Sequence, residues 1–265
     1  MDIKKQQAAV LGEEETERYS RQILLPQVGS DGQLKLKNSS VLIVGAGGLG
    51  SPAALYLAGA GVGTIGIIDA DTVSVSNLQR QIIHSMETAQ MNKAESAKLQ
   101  MEKLNDNIMV RAYPYALTAE NAEEIICGYD FVIDATDNFE TKFLINDACV
   151  LQHKAFCHGG ILGFEGQVMT YVPGDFPCYR CIFGDVPKQG SVLNCRQVGV
   201  LGATAGITGT IQALEAIKYL LHTGELLTGK MFVMDTLTMK SRLIKFGHKN
   251  PACRVCNGQK RISKE

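Results

Sequence analysis

The sequence predicts a doubly wound α/β fold whose mostly parallel sheet is extended by antiparallel strands toward the C-terminus. Strand and helix patterns alternate from residue 41 to residue 134, whereas after residue 160 strand patterns follow one another without regular helices between them. The 265 residues, 45% of them hydrophobic and 20% charged, are enough for one sizeable core. We therefore expect a single domain.

The first half contains the elements of a parallel sheet. The apolar run VLIVG at 41–45 breaks into AGGLG, SPAALYLAGAG follows as a helix, and TIGIID at 64–69 is the next strand. This order is a βαβ unit, whose right-handed crossover makes its two strands parallel. A helix around 91–104, the strand IMVRAY, a helix near 119–127 and the strand DFVIDA continue the alternation. The predicted arrangement is Rossmann-like.

The second half predicts antiparallel strands and one long connection. GQVMTYV, KMFVMD and SRLIKF are short or alternating strand patterns, typical of strands added antiparallel at a sheet edge. Residues 177–195 are rich in Gly, Pro, Asp and Ser and predict a long loop or crossover. Val198–Leu214 is apolar, but its Gly and Thr residues fit a buried, close-packed helix better than a membrane span.

Charge and leader pattern exclude some classes of partner. The net charge of −1 provides no overall positive field for nucleic acid or an anionic membrane surface, so neither is an expected partner. The charged N-terminal segment lacks the apolar run and cleavage site of a secretory signal, so we expect a cytoplasmic protein. In that reducing compartment, the eight cysteines are not expected to form a disulfide framework.

A glycine-rich turn predicts a phosphate site. Four glycines follow the first strand and open the next helix, where backbone N–H groups can approach a phosphate. They are Gly45, Gly47, Gly48 and Gly50. Asp69 ends the second strand, where a carboxylate binds a ribose hydroxyl. This pattern alone also fits NAD and FAD enzymes.

The next segment favours cleavage of a triphosphate over hydride transfer. It holds one carboxylate, amides and two cations, namely Asp71, Asn77, Gln79, Arg80 and Lys93. Positive charge near the phosphates stabilises a departing pyrophosphate, which a hydride-transfer enzyme does not produce. The alternative is that Arg80 and Lys93 are solvated surface residues.

Two aspartates follow the apolar part of the strand DFVIDA, at the edge where open α/β sheets bind ligands. Asp137 is the better candidate for holding Mg²⁺ through one carboxylate, with water and phosphate completing the coordination. Asp134 belongs to the strand and is predicted to bond nearby backbone groups, because a carboxylate in an apolar strand needs partners.

Together the motifs resemble the ThiF/MoeB/HesA group of ubiquitin-activating-enzyme (E1)-like adenylyltransferases. The resemblance runs from about Arg18 to Gly258, and the combination of its motifs is highly specific. The motifs are RYSRQILLP at 18–26, GAGGLG at 45–50, DADTVSVSNLQRQ at 69–81, Lys93, ATDN at 135–138, two CxxC pairs and NCRQVGVLG at 194–202.

The resemblance implies how ATP is held. The implied ligands are Asp69 for the ribose, Asn77, Arg80 and Lys93 for the phosphates, and Asp137 for the metal. Arg21 would reach the γ-phosphate of ATP in a neighbouring subunit, which implies a homodimer with composite sites. The alternative for Arg21 is a surface arginine on an N-terminal helix.

The implied reaction joins AMP to the C-terminal Gly-Gly carboxylate of a ubiquitin-like sulfur-carrier protein and releases pyrophosphate. NCRQVGVLG favours a ThiS-like carrier in thiamine biosynthesis, and the alternative is MoeB-like activation of a MoaD-like carrier in molybdenum cofactor biosynthesis. A separate sulfur donor, such as a cysteine desulfurase or rhodanese, is expected. Within the domain, residues 1–40 would be helical, 41–160 would bind nucleotide, and 161–265 would bind the carrier and zinc.

The cysteines fall into pairs and single residues. The CxxC pairs are Cys178 with Cys181 and Cys253 with Cys256. Four such thiolates can surround one structural Zn²⁺, and the resemblance favours this over two unlinked redox pairs. Cys195, which Arg196 follows, is a candidate for a thioester or acyl persulfide with the carrier. The alternative is an unreactive loop thiol.

Two other classes of function are possible from the sequence. An NAD-dependent oxidoreductase fits the glycine turn but leaves Arg80, Lys93 and Asp137 unexplained, and no obvious catalytic His or Tyr-Lys constellation accompanies it. A catalytically silent scaffold that binds a ubiquitin-like partner would not need those three residues.

Overall fold

An eight-stranded sheet runs through the residues that the computed structural model describes, 10–188 and 198–257. Its strands are β1 (Ser40–Val44), β2 (Thr64–Ile68), β3 (Met109–Tyr113), β4 (Phe131–Asp134), β5 (Ala155–Leu162), β6 (Glu165–Tyr171), β7 (Lys230–Asp235) and β8 (Lys240–Lys245). Their spatial order is β3-β2-β1-β4-β5-β6-β7-β8. Strands β1 to β5 pair in parallel, and β6, β7 and β8 are added antiparallel. The predicted fold class is confirmed.

Helices cover both faces of this sheet. They are α1 (Glu13–Arg18), α2 (Ser20–Ile23), α3 (Gly29–Asn38), α4 (Gly50–Gly59), α5 (Lys93–Leu104), α6 (Ala122–Cys127), α7 (Phe139–Leu151), α8 (Tyr179–Phe183) and α9 (Gly202–Leu221). One apolar core holds α3, α4, α5 and α9 against one face, and a second holds α6, α7 and α8 against the other.

The central strand shows why both faces need a cover. In β1, Val41 and Ile43 enter the core on the α4 side, whereas Leu42 and Val44 enter the core on the α7 side. Successive side chains of a strand point to opposite faces, so a strand that is apolar at every position is stable only when both faces are buried. Each such side chain contributes about 1.5–3 kcal/mol when fully buried.

The apolar segment near the start of α9 is helical, as predicted, but only one face of it is buried, because Ile207 and Leu214 are exposed. Gly209 lets α9 approach α4 closely, because a Cβ there would lie 2.7 Å from Cγ of Pro52. The buried Glu215 of α9 accepts hydrogen bonds from Thr170 Oγ1 at 2.5 Å and from the Leu227 amide at 2.8 Å. No helix among the described residues is long and apolar enough to cross a membrane.

The connection after β6 differs from the predicted loop, because α8 forms within it. The contacts that fix this helix come from α7. The Tyr179 amide donates to Asn146 Oδ1 at 2.8 Å, and Arg180 donates to both carboxylate oxygens of Asp147 at 2.7 and 2.8 Å. Composition alone indicated a loop, since these partners lie more than thirty positions earlier in the chain. The division into 1–40, 41–160 and 161–265 stays a prediction.

Candidate nucleotide and active site

A cavity of about 530 Å³ opens at the carboxyl ends of β1, β2 and β4. Strand β1 lies between β2 and β4, so the strand order reverses here, and open α/β sheets bind ligands at such switch points. The predicted site residues that line the cavity are Gly45, Gly47, Gly48, Asp69, Asp71, Arg80, Lys93 and Asp137. The sequence motifs and the sheet topology therefore indicate the same ligand site.

The glycine turn leaves room for a ligand beside the backbone. Gly45 has φ +100°, and a Cβ there would lie 2.8 Å from the Ala135 carbonyl oxygen, so only glycine fits. A Cβ at Gly50 would overlap the carbonyl oxygen of Gly45. At Gly47 the nearest atom to a Cβ is Nε2 of Gln81, 3.6 Å away. Gly45 and Gly50 thus shape the turn, and Gly47 presents open backbone next to the start of α4, where a phosphate can bind.

Asp69 ties the glycine turn to the end of β2. Its Oδ2 accepts from the Ala46 amide at 2.8 Å, and its Oδ1 accepts from the Asp71 amide at 2.9 Å. Burial raises the pKa of the Asp69 carboxyl, although Lys93 and the two backbone hydrogen bonds act in the opposite direction. The carboxylate is therefore fixed in position at the cavity wall before any ligand binds.

Two cations stand beside the turn. Lys93 is only 5% exposed, and its Nζ lies 2.8 Å from Oδ2 of the exposed Asp71. Arg80 lines the cavity and donates to Asn77 Oδ1 at 3.2 Å. The interpretation of Lys93 as a solvated surface residue is therefore wrong. Asn77 does not line the cavity, and its contact is with Arg80, whose guanidinium it orients.

The two aspartates after β4 have different surroundings. Asp137 is exposed in the cavity, whereas Asp134 is 1% exposed. Asp134 accepts from the Thr136 amide at 3.1 Å and hydroxyl at 2.6 Å, from Lys142 Nζ at 3.1 and 3.2 Å, and from His158 Nδ1 at 2.8 Å. The prediction of backbone partners for Asp134 is thus correct only in part, because buried side chains supply most of its bonds.

Electrostatics keeps Asp134 ionised in this buried place. Burial acts to raise the pKa of its carboxyl, but Lys142, His158 and Thr136 outweigh burial and hold that pKa well below its usual range. Lys142 is 7% exposed and also donates to the Gly159 carbonyl at 2.8 Å. The ion pair therefore links α7 to β4 and β5 under the floor of the cavity.

We expect Lys142→Met to destabilise the protein by about 3 kcal/mol near pH 7, because Asp134 is left as a buried carboxylate without its cation. In the parent protein the folded pKa of Asp134 is lowered, so its stabilisation is present above the unfolded pKa and is lost as the pH falls. Without Lys142 the folded pKa rises, and protonation then relieves the penalty. Urea unfolding of both proteins should give a smaller difference near pH 5 than near pH 7. An equal difference at both pH values would contradict this account.

A family model described as the ThiF family matches residues 19–255. The chain belongs to the ThiF family. The resemblance that the sequence motifs indicated is therefore confirmed, and the matched residues include the sheet, the cavity lining and three of the four paired cysteines.

Relatives and solved structures agree with this assignment. "Adenylyltransferase and sulfurtransferase MOCS3" of Anopheles gambiae is 46% identical over 254 residues, which cover 96% of this chain and 58% of the relative. The protein of the same description from Drosophila sechellia is 48% identical over 246 residues, covering 93% and 54%. The chain thus spans a little over half the length of these curated relatives. Escherichia coli MccB, in a structure with ATP, superimposes with a TM-score of 0.80 at 25% identity, covering 92% of this chain and 75% of MccB.

The four paired cysteines of this ThiF family member converge, as predicted. The sulfur atoms of Cys178, Cys181, Cys253 and Cys256 all lie within 4.8 Å of one another. The Sγ–Sγ distance is 3.7 Å between Cys178 and Cys253 and 3.3 Å between Cys181 and Cys256. Four sulfurs bound tetrahedrally at ~2.3 Å from a zinc ion would lie about 3.8 Å apart. The cluster therefore fits one structural metal ion with no open coordination position.

Among the predicted nucleotide-site residues that the structure describes, Gly50, Asn77 and Arg21 do not line the cavity. Arg21 is exposed on α2 and does not line it. A residue outside the cavity of its own chain is compatible with the predicted role toward a neighbouring subunit, and that role stays a prediction. Cys195 lies outside the described residues. Cys149 and Cys157 are buried, and burial raises the pKa of both thiols.

Sequence reasoning missed several polar residues of the cavity wall, namely Gln81, Lys142, His158 and Gln167. A signal for Lys142 did exist, because an aspartate within an apolar strand calls for a cation as well as backbone donors. Gln81 is 5% exposed, and its Oε1 has no hydrogen bond from the described residues. Nothing in the linear sequence singles out His158 or Gln167, since the pairing of β5 with β6 brings them together.

Proposed function

We propose that the protein is an ATP-dependent adenylyltransferase that activates the C-terminal Gly-Gly carboxylate of a ubiquitin-like sulfur carrier as an acyl-adenylate. One observation carries the proposal. A buried lysine, an arginine, open glycine backbone and the exposed carboxylate of Asp137 all line one cavity. Such a site can hold a triphosphate and a metal ion together. The names of the MOCS3 relatives also include adenylyltransferase.

The residues present suit this reaction. A carboxylate is already ionised at neutral pH, so its attack on the α-phosphorus needs no dedicated general base. Asp69 would hold the ribose, while Arg80 and Lys93 would stabilise the charge that builds up on the departing pyrophosphate. Asp137 has an exposed carboxylate in the cavity and would hold Mg²⁺, which neutralises phosphate charge when bound. Positioning and charge neutralisation thus account for the chemistry.

The choice between the two carriers rests on the relatives rather than on the cavity. The curated relatives carry the name MOCS3, which favours the MoeB-like alternative, a MoaD-like carrier for molybdenum cofactor biosynthesis, over the ThiS-like carrier for thiamine. We therefore propose the MoaD-like carrier as the main partner. A homodimer, in which Arg21 of one subunit serves the ATP of the other, belongs to the same proposal.

ATP–pyrophosphate exchange with a panel of purified carriers tests this function. We expect exchange with a MoaD-like carrier that ends in Gly-Gly, weaker exchange with a ThiS-like carrier, and none without a carrier, because the proposed acceptor of AMP is the C-terminal carboxylate of the carrier. A MoaD-like carrier that lacks its last two residues is the matched control. Hydride transfer with a nicotinamide cofactor, or exchange that is independent of every carrier, would refute the assignment.

A further inference from the structure

The cavity has a second polar wall, separated from the phosphate-binding turn by β4, that the adenylation chemistry described above does not use. It is built from β5 and β6, which pair so that Gly160 lies opposite Gln167. His158 is two residues before Gly160 and therefore shares its face of β5. His158, Gly160 and Gln167 all line the cavity, and Gln167 Nε2 lies 3.4 Å from His158 Nε2.

The protons on this wall can be assigned from the chemistry of its groups. Asp134 is an ionised acceptor, so His158 Nδ1, 2.8 Å from it, carries the hydrogen. Burial lowers the pKa of His158, and the nearby Lys142 lowers it further, so the ring is neutral and its Nε2 presents a lone pair. A lone pair needs a donor, and the Gln167 amide nitrogen supplies it. This bond fixes the orientation of the Gln167 carboxamide, whose oxygen Oε1 is then available to accept a hydrogen bond.

Gly160 makes this arrangement possible. A Cβ on residue 160 would lie 2.9 Å from Nε2 and 3.0 Å from Cγ of Gln167. The glutamine side chain therefore lies flat across β5 and reaches His158 only because residue 160 has no side chain. The His158 ring also packs against the Tyr179 ring, with ring centroids 4.7 Å apart. The chain of contacts from Lys142 to Gln167 is thus fully buried at its base and ends on one carboxamide at the cavity surface.

We propose that Gln167 Oε1 accepts a hydrogen bond from the terminal glycine N–H of the carrier tail, and that His158 is the positioning residue that holds Gln167 for this contact. The inference rests on the proposed function. Glycine has no side chain, so a Gly-Gly tail can be read only through its backbone groups and its small size. Gln167 Oε1 has no hydrogen bond from the described residues, and the N–H is one carbon away from the reacting carboxylate. A bond at that nitrogen would orient the carboxylate toward the α-phosphate.

A cycle between enzyme and carrier tests the contact. The enzyme change is Gln167→Met, which keeps the length of the side chain but removes the acceptor. The carrier change replaces the terminal glycine by glycolate through semisynthesis, so that an ester oxygen stands where the N–H was. With the parent enzyme, we expect glycolate to lower kcat/KM for the carrier in pyrophosphate exchange by at least ~10-fold. With Gln167→Met, we expect the same replacement to lower kcat/KM for the carrier by no more than about 2-fold, while KM for ATP stays unchanged.

Two further variants separate positioning from general loss of structure. Gly160→Ala should displace Gln167 from His158 and reproduce the reduced sensitivity to glycolate, although the glutamine itself is present. Gln152→Met makes the same chemical change at the end of α7, outside the cavity, and should keep the full sensitivity to glycolate. If the enzyme change and the carrier change lower kcat/KM additively, or if only KM for ATP rises, the proposed contact is overturned while adenylation remains intact. Absence of exchange between the parent and every unmodified carrier would instead overturn the proposed function, and this contact with it.

Discussion

Asp137→Ala is expected to lower ATP–pyrophosphate exchange by about 10³-fold, or ~4 kcal/mol of transition-state stabilisation. The carboxylate stands exposed at the end of β4, with the glycine turn and Lys93 on the same cavity. Its removal would take away the proposed protein ligand for Mg²⁺ and leave the phosphate charge poorly neutralised. The measurement is the exchange rate at saturating ATP and carrier over a range of Mg²⁺ concentrations.

The fold should survive this change, because Asp137 does not hold α7 in place. The N-cap of that helix is Asn138, whose Oδ1 accepts from the Thr141 amide at 2.8 Å. We expect the urea midpoint of Asp137→Ala to match that of the parent. Glu140→Ala, an exposed carboxylate in the first turn of α7 that does not line the cavity, is the matched control and should keep full exchange. Normal exchange by Asp137→Ala at limiting Mg²⁺ would remove Asp137 from the metal site.

The parts of the fold that the sequence predicts are those encoded by local order. Alternation of apolar β-branched runs with helices indicates a parallel sheet, and the glycines between β1 and α4 mark its phosphate edge. Gly45 shows why this signal is reliable, since φ +100° and the close Ala135 carbonyl leave no other residue type. The apolar segment of α9 was also predictable, because its small residues suit close helix packing.

The parts that were missed depend on contacts between distant positions. Asp134, His158 and Gln167 belong to three successive strands of the sheet, and only the register of β4, β5 and β6 brings them together. Residue type is no guide there, because an isolated histidine or glutamine in a strand pattern is more often an ordinary surface residue. Helix α8 was missed for the same reason, since Asn146 and Asp147 of α7 supply the contacts that fix it.

Cys178→Ser and Cys253→Ser are expected to release one zinc ion per chain and to destabilise the protein by at least ~3 kcal/mol, because binding of a structural metal is linked to folding. The two cysteines come from separate CxxC pairs, and their sulfurs are 3.7 Å apart. Metal analysis of freshly purified protein and urea unfolding measure the two effects. Cys127→Ser, at an exposed cysteine far from the cluster in sequence, is the matched control and should keep both zinc and stability. Freshly purified parent protein without zinc would refute the site.

The loss of stability depends on which other contacts join the two CxxC segments. Asp185 accepts from Arg180 and from Arg254, each at 2.8 Å, and so bridges the CxxC segments without metal. Asp185 and Arg254 are exposed, and exposed ion pairs contribute only about 0–1 kcal/mol each. The bridge therefore contributes little to holding the C-terminal segment once zinc is lost. Tyr179 directly follows Cys178 and packs on His158, so loosening of the cluster would also reach the cavity wall and should lower kcat/KM for the carrier in Cys178→Ser.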